Sequence, residues 1–255
     1  MGPLLLILFL VAALFAALMG CLALGRKIAQ REKAGATELG GLGVIDGAVF
    51  ALLGLLIAFS FSGAADRFER RRQLIVQEAN AIGTAYLRLD LLPPATQPAL
   101  RENFRRYVDT RLAIYKGIHD PAAVRDRTAR ATALQEEIWK EAVRACQANA
   151  ARVENVVLPA LNDMIDITTT RAVAAQTHPP GIIFVMLVAM ALMACLLAGY
   201  AMTVGKQWRR LHATTFALVL TVTVYVILDL EFPRLGLIQV TAADQLLVDV
   251  RDSLR

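Results

Sequence analysis

Three cysteines in a chain of 255 residues leave no material for a disulfide framework. Cys21 and Cys195 lie inside long apolar runs, and a buried, inert thiol is the expected state of each, as of Cys146. Histidine is equally scarce. His119, His178 and His212 stand alone, with no carboxylate or cysteine at ligand spacing, so no metal site is expected. A glycine-rich phosphate loop is missing, as is a serine in a nucleophile-elbow context. No catalytic residue is therefore named, no cofactor is expected, and an enzyme is the least favoured class. The acidic stretch QEEIWKE reads as a solvated helix face. No alternating pattern of useful length predicts a strand, and no repeat occurs. The net charge is +5, yet no nucleic-acid motif accompanies the basic clusters, so nucleic acid is not an expected partner.

What the chain has in excess is apolar sequence. It is 56% hydrophobic with a mean hydropathy of +0.50, above the level of a soluble domain. Four uncharged runs account for the surplus: Leu4–Gly25, Gly47–Ala65, Ala213–Leu228 and Gly181–Gly205. A helix of ~20 residues spans a ~30 Å hydrocarbon core, so each is read as a transmembrane helix, the Ala213–Leu228 run needing a few flanking residues. The predicted fold is an all-α integral membrane protein. Residues 1–65 carry transmembrane helices one and two, and 66–180 form an extramembrane helical bundle. Residues 181–230 carry helices three and four, and 231–255 are a C-terminal tail.

The bundle reads as helix throughout. Leu74, Ile75, Ala79, Ile82, Tyr86 and Leu89 recur at helical spacing, and this first helix ends at Pro93–Pro94. Asn80, within that stripe, is expected to hydrogen-bond across it. Thr96 is a candidate cap for the next helix, where Leu100, Phe104, Tyr107, Arg111 and Tyr115 share a side. Asp120 followed by Pro121 marks a restart, as N-cap and first helical residue. Val124, Leu134, Ile138 and Cys146 point inward on that third helix. Pro159 is expected to kink the fourth. Charge gives a weak indication of sidedness. Arg26, Lys27, Arg31, Lys33, Lys206, Arg209 and Arg210 lie in short loops on one side. Arg67, Arg70, Arg71, Arg72, Arg171 and Arg234 lie on the bundle's side. The positive-inside rule then mildly favours a bundle outside the cytoplasm.

The segment FSFSGAADRFERRR, Phe59 to Arg72, passes from membrane to charge without a proline. At about 100° per residue, Gly54, Ala58, Phe61, Ala65, Phe68, Glu69 and Arg72 share one face of this helix. Leu52, Leu56, Phe59 and Gly63 point the opposite way. Two readings of the first face are open. Small residues four apart let helices pack closely. Repeated about a symmetry axis, the same face would make a narrow apolar neck ending in charged rings. Asp229 and Glu231, where the fourth span exits, lie at the level of Arg67, Arg70 and Arg71. Carboxylates facing arginines there would fix span four against span two. Asp46, at the opposite end of span two, is a candidate N-cap for that helix, with a place at a pore entrance as the alternative.

The block ALLGLLIAFSFSGAADRFERRRQLIVQEANAIGTAYLRLDLLP, with the tail DLEFPRLGLIQVTAADQLLVDVR, resembles the bacterial bestrophin-like family. With the four-span layout, the resemblance covers nearly the whole chain. More distantly, the chain is similar to the bestrophin ion channels, which are pentamers of four-span subunits. That resemblance implies a pore lined by the second span and a cytoplasmic bundle, against the charge count. It also implies a multi-pass protein of the bacterial inner membrane, with the lipid bilayer, inorganic ions and further copies of itself as partners. Phe68, Glu69 and Arg70 match the bestrophin order of aromatic, acid and arginine. Arg71 and Arg72 stand where tryptophans follow. Glu231, Pro233 and Gly236 echo the bestrophin tail with altered spacing. The bestrophin neck maps onto Gly54, Ala58 and Ser62, all small, so Phe61 would supply the constriction. The acidic calcium-binding cluster of animal bestrophins has no counterpart, and no metal site is carried over. The resemblance thus implies a homo-oligomeric channel, with anions the expected ions. The alternative is a non-conducting membrane scaffold or sensor whose bundle binds a partner.

Overall fold

The computed structural model describes residues 3–31, 39–116, 120–148, 152–204, 210–234 and 236–254. Every regular element among them is helical: α1 (Pro3–Arg31), α2 (Leu39–Arg88), α3 (Gln97–Lys116), α4 (Pro121–Gln147), α5 (Glu154–Gln176), α6 (Gly181–Val204), α7 (Arg210–Glu231) and α8 (Thr241–Ser253). His119 and the basic residues Lys33, Lys206 and Arg209 fall outside the described residues. Four helical stretches are long and apolar enough to cross a membrane: within α1, within α2, ending in α6, and α7.

α2 is one unbroken helix of 50 residues. Nothing between Leu39 and Arg88 stops it, because its first prolines come only at Pro93 and Pro94. A single 3₁₀ turn, Leu89–Leu91, closes it, and Leu92 is extended at φ −83° and ψ 161°. A residue before proline is driven to that region by contact with the ring. Thr96 does not cap α3. Its hydroxyl donates to the Pro93 carbonyl at 2.9 Å and so closes the turn instead. Asp120 does cap α4, accepting from the amides of Ala122 and Ala123 at 3.0 and 3.1 Å, with Pro121 in the first turn. Pro159 lies near the start of α5, which continues past it to Gln176.

The chain divides into two compact units. One comprises residues 1–68 and 178–239, the other residues 69–177 and 240–255. In the first unit, Leu18 and Leu22 of α1, Leu53 and Ala64 of α2, Leu187, Ala191, Ala194 and Cys195 of α6, and Ala217, Leu220, Val224 and Ile227 of α7 form the buried core. α1 and α6 approach most tightly through two glycines. A Cβ on Gly25 would run into the Leu196 carbonyl, and one on Gly199 into the Leu22 carbonyl. Close small-residue crossing, the usual means of helix association in a bilayer, is therefore made by α1 and α6.

The second unit buries Leu74, Ile75, Ala79, Ile82, Tyr86 and Leu89 of α2 with Leu100, Phe104, Tyr107 and Val108 of α3. Leu134, Ile138 and Cys146 of α4, Val157, Leu161 and Met164 of α5, and Leu247 of α8 complete that core. Tyr86 and Phe104 meet edge to face at 5.8 Å. Burial pushes the Tyr107 phenol up, and Gln135 donates to its oxygen at 3.2 Å. Burial also raises the Cys146 thiol, and the Glu154 carboxylate adds to the effect, so this cysteine is held as a thiol. α8 is anchored at its end, where Arg105 donates to the Leu254 carbonyl at 3.0 Å and Arg251 to Asp109 at 3.0 Å.

Candidate functional site

α2 presents three lines of side chains. The line through Leu53, Ile57, Ser60 and Ala64 is turned toward the core of the unit of residues 1–68 and 178–239, and Phe50 meets Phe216 of α7 edge to face at 6.1 Å. The line of small and aromatic residues is not. Gly54, Ala58, Phe61, Ser62, Glu69 and Arg72 are exposed, Ala65 and Phe68 half-buried. A Cβ built on Gly54 would meet nothing within 4 Å. On the opposite side, Leu52 and Phe59 are exposed, Leu56 and Gly63 half-buried.

At the charged end of α2 the arginines have different destinations. Arg67 folds back along the helix, its guanidinium passing where a Cβ on Gly63 would sit 3.2 Å away. It grips Glu231 with both arms: Nε lies 3.1 and 2.9 Å from the two carboxylate oxygens, and the terminal nitrogen 2.8 Å from one. Glu231 has no exposed side-chain surface and also meets His178 Nδ1 at 2.9 Å. The His178 ring stacks on Phe232 at 4.7 Å. A fully desolvated carboxylate needs such partners, because leaving it bare costs far more than pairing it. Arg71 donates to the carbonyls of Ala174 and Thr177 at 3.2 and 3.0 Å, a cation on the C-terminal turn of α5. Arg72 pairs with Glu69 one turn back at 2.9 Å, both side chains about half exposed. Arg70 is exposed.

Asp229 meets backbone, not an arginine. Its carboxylate accepts from the Tyr225 hydroxyl at 3.1 Å and from the amides of Leu237 and Ile238 at 3.0 and 2.9 Å. Two residues apart on α7, Asp229 and Glu231 point about 200° from each other, so one guanidinium cannot serve both. The turn after α7 depends on Gly236, because a Cβ there would occupy the space of the Asp229 carboxylate. Gly236→Ala is expected to push that carboxylate off its two amides. A loss of about 1–3 kcal/mol should follow, read as a lower Tm of the detergent-solubilised protein. An unchanged Tm would mean that the turn relaxes freely.

A second charged cluster lies in the unit of residues 69–177 and 240–255. Glu78, on α2, has no exposed side-chain surface. Arg111 of α3 donates to it through Nε at 2.6 Å, Arg171 of α5 donates to its other oxygen, and the Tyr115 hydroxyl donates to it at 3.2 Å. Arg111 also donates to the Tyr115 oxygen, and both guanidiniums lie over the Tyr115 ring, at 5.3 and 4.3 Å. Asn80, expected to hydrogen-bond inside this unit, is exposed instead. Among the described residues, no three His, Cys, Asp or Glu side chains gather as metal ligands.

Two residues of these clusters were missed from sequence. Glu78 could have been found: at about 100° per residue it lies within about 40° of Leu74, Ile82 and Leu89 of the apolar stripe, and so shares their buried face. His178 left no such signal. It lies in the break between α5 and α6 and meets Glu231, 53 residues on, at the end of α7.

The bestrophin-like domain model matches residues 8–244. No curated protein matches. Among solved structures, a bacterial bestrophin homologue from Klebsiella pneumoniae carrying a tryptophan-to-alanine substitution is similar at 14% identity and a TM-score of 0.66, over 96% of this chain and 98% of that one. The same homologue with an aspartate-to-alanine substitution gives 14% identity and 0.65, over 96% and 98%. Its structure from zinc phasing gives 15% identity and 0.63, over 96% and 98%. The fold is therefore that of the bacterial bestrophin homologues, in a multi-pass membrane protein. With the family model spanning all four apolar helices and the turn after α7, this chain belongs to the bestrophin-like family.

Proposed function

We propose that the chain is one subunit of a homo-oligomeric ion channel, a pentamer in the bacterial inner membrane, with α2 of each copy lining an axial pore. The observation that carries this reading is the unused face of α2. Gly54, Ala58 and Phe61 stay exposed while the neighbouring line through Leu53 and Ala64 is buried. In the scaffold alternative, the small residues pack against spans of their own subunit, and Gly54 instead faces open space. Membership of the bestrophin-like family also favours conduction.

In this reading, Gly54, Ala58, Phe61, Ser62 and Ala65 line the neck, and Phe68, Glu69 and Arg72 its inner mouth. Phe61 is the constriction, a side chain 45% exposed between small neighbours. A bare ion in a low-dielectric passage costs tens of kcal/mol, so such a neck must be short and intermittently wet. The helical unit of residues 69–177 and 240–255 lies in the cytoplasm in this reading. Anions are the favoured cargo in this reading because Arg72 concentrates them at the inner mouth, with Glu69, its partner one turn back, opposing that in part.

Ion flux from liposomes holding the purified protein, under a salt gradient, tests the proposal. The wild-type chain is expected to conduct, and Phe61→Ala to conduct several-fold more once the constriction is removed. No flux from protein shown to be folded and oligomeric would overturn the channel. Flux unaffected by Phe61→Ala would place the constriction elsewhere.

A further inference from the structure

The Glu78 cluster has a feature that packing alone does not require. α2 could bury an apolar residue at position 78, as it does at Ile75, Ala79 and Ile82. It buries instead a carboxylate bound from two directions, by Arg111 of α3 and Arg171 of α5. Apolar contacts are individually non-directional, so the buried stripe of α2 fixes its rotation through packing alone. Two guanidinium forks on one carboxylate are directional, because hydrogen bonds weaken steeply off axis. Buried ionic groups of this kind add little net stability over apolar ones of similar volume, but they can select one arrangement among several.

α2 is continuous from Leu39 to Arg88, so a rotation fixed at Glu78 is carried along the helix to Arg72, Glu69 and Ala65. Glu78 lies about 120° round the helix from Arg72. Turning Glu78 inward therefore turns the Ala65, Glu69 and Arg72 side out of the protomer.

We propose that Glu78, held by Arg111 and Arg171, is the positioning residue that sets the rotation of α2 and so decides which of its side chains face the conduction path. This rests on the reading of α2 as the pore helix. Glu78 touches no ion itself. Tyr115 serves the same end, because its ring and hydroxyl hold both guanidiniums at the carboxylate.

The test is the pattern of flux block by a membrane-impermeant anionic thiol reagent, in a full-length chain with Cys21, Cys146 and Cys195 replaced by alanine. Single cysteines go in at Ala65→Cys and Arg72→Cys, on the proposed axial side. Others go in at Asp66→Cys and Arg70→Cys, about 100° and 140° from Ala65. With Glu78 intact, block is expected at the first pair only. With Glu78→Gln, which keeps the shape but removes the charge, that contrast is expected to be lost, block spreading to positions 66 and 70. Should Glu78→Gln fail to fold, the volume-matched apolar triple Glu78→Leu, Arg111→Met, Arg171→Met takes its place. It should stay folded and oligomeric and lose the contrast as well. A contrast retained in a folded variant would make Glu78 an ordinary packing residue while leaving the pore reading intact. No contrast even with Glu78 in place would remove the α2 pore, and this assignment with it. Loss of stability alone moves neither pattern.

Discussion

Glu78→Leu is expected to be the most damaging single substitution in the chain, at about 3–5 kcal/mol, close to the whole stability of a marginal domain. The reason is what it strands. Arg111 and Arg171 have side chains only 9% exposed, so without the carboxylate two guanidiniums remain in a largely dry site. Glu231→Leu removes an equally buried carboxylate, yet should cost less, about 1–3 kcal/mol. Its partners Arg67 and His178 keep 28% and 32% of their side-chain surface and can turn out to solvent. Removing both guanidiniums along with Glu78 should restore most of the loss, because an apolar trio of similar volume is close to neutral. Thermal unfolding in detergent, followed by the remaining monodisperse fraction, reads all three. If Glu231→Leu proved as damaging as Glu78→Leu, partner exposure would not be what sets the cost.

The elements that sequence rendered well are those governed by periodicity. The stripe from Leu74 to Leu89 is buried at every position named for it, and the α3 side of Phe104, Tyr107 and Arg111 likewise. Asp120 before Pro121 is a local signal with a local outcome. What periodicity cannot supply is the partner of a polar group. Asn80 stands beside the stripe in sequence, but it lies about 160° round the helix from Glu78, which is the buried polar residue. Arg171, one of the basic residues on the bundle's side, is buried on Glu78. Asp229 and Glu231 are neighbours along the chain, but a helix turns residues of that spacing close to half a turn apart. His178 depends on contacts that form only when two distant segments meet, and nothing local announces them.

Arg72→Glu is expected to swing the ion preference of the liposome flux toward cations by tenfold or more, and the argument turns on Glu69. Glu69 and Arg72 are paired at 2.9 Å, so the mouth of the proposed pore is close to neutral at this level. Arg72→Glu replaces that balance by two carboxylates per subunit. A unit charge about 6 Å from an ion contributes about 0.7 kcal/mol in water, and five in the proposed pentameric ring sum to about 3 kcal/mol before salt screens them. With a Debye length of ~8 Å, roughly half of this survives, and each ~1.4 kcal/mol is tenfold in preference. Glu69→Gln should act in the opposite sense by a smaller amount, releasing one guanidinium charge per subunit. The expected order of anion preference is therefore Glu69→Gln, then wild type, then Arg72→Glu, read as reversal potentials in asymmetric salt. Doubling the ionic strength should compress all three toward one another. Three conducting proteins with the same reversal potential would take Glu69 and Arg72 off the ion path. The opposite order would mean that these two side chains act on the channel through its structure rather than through its field.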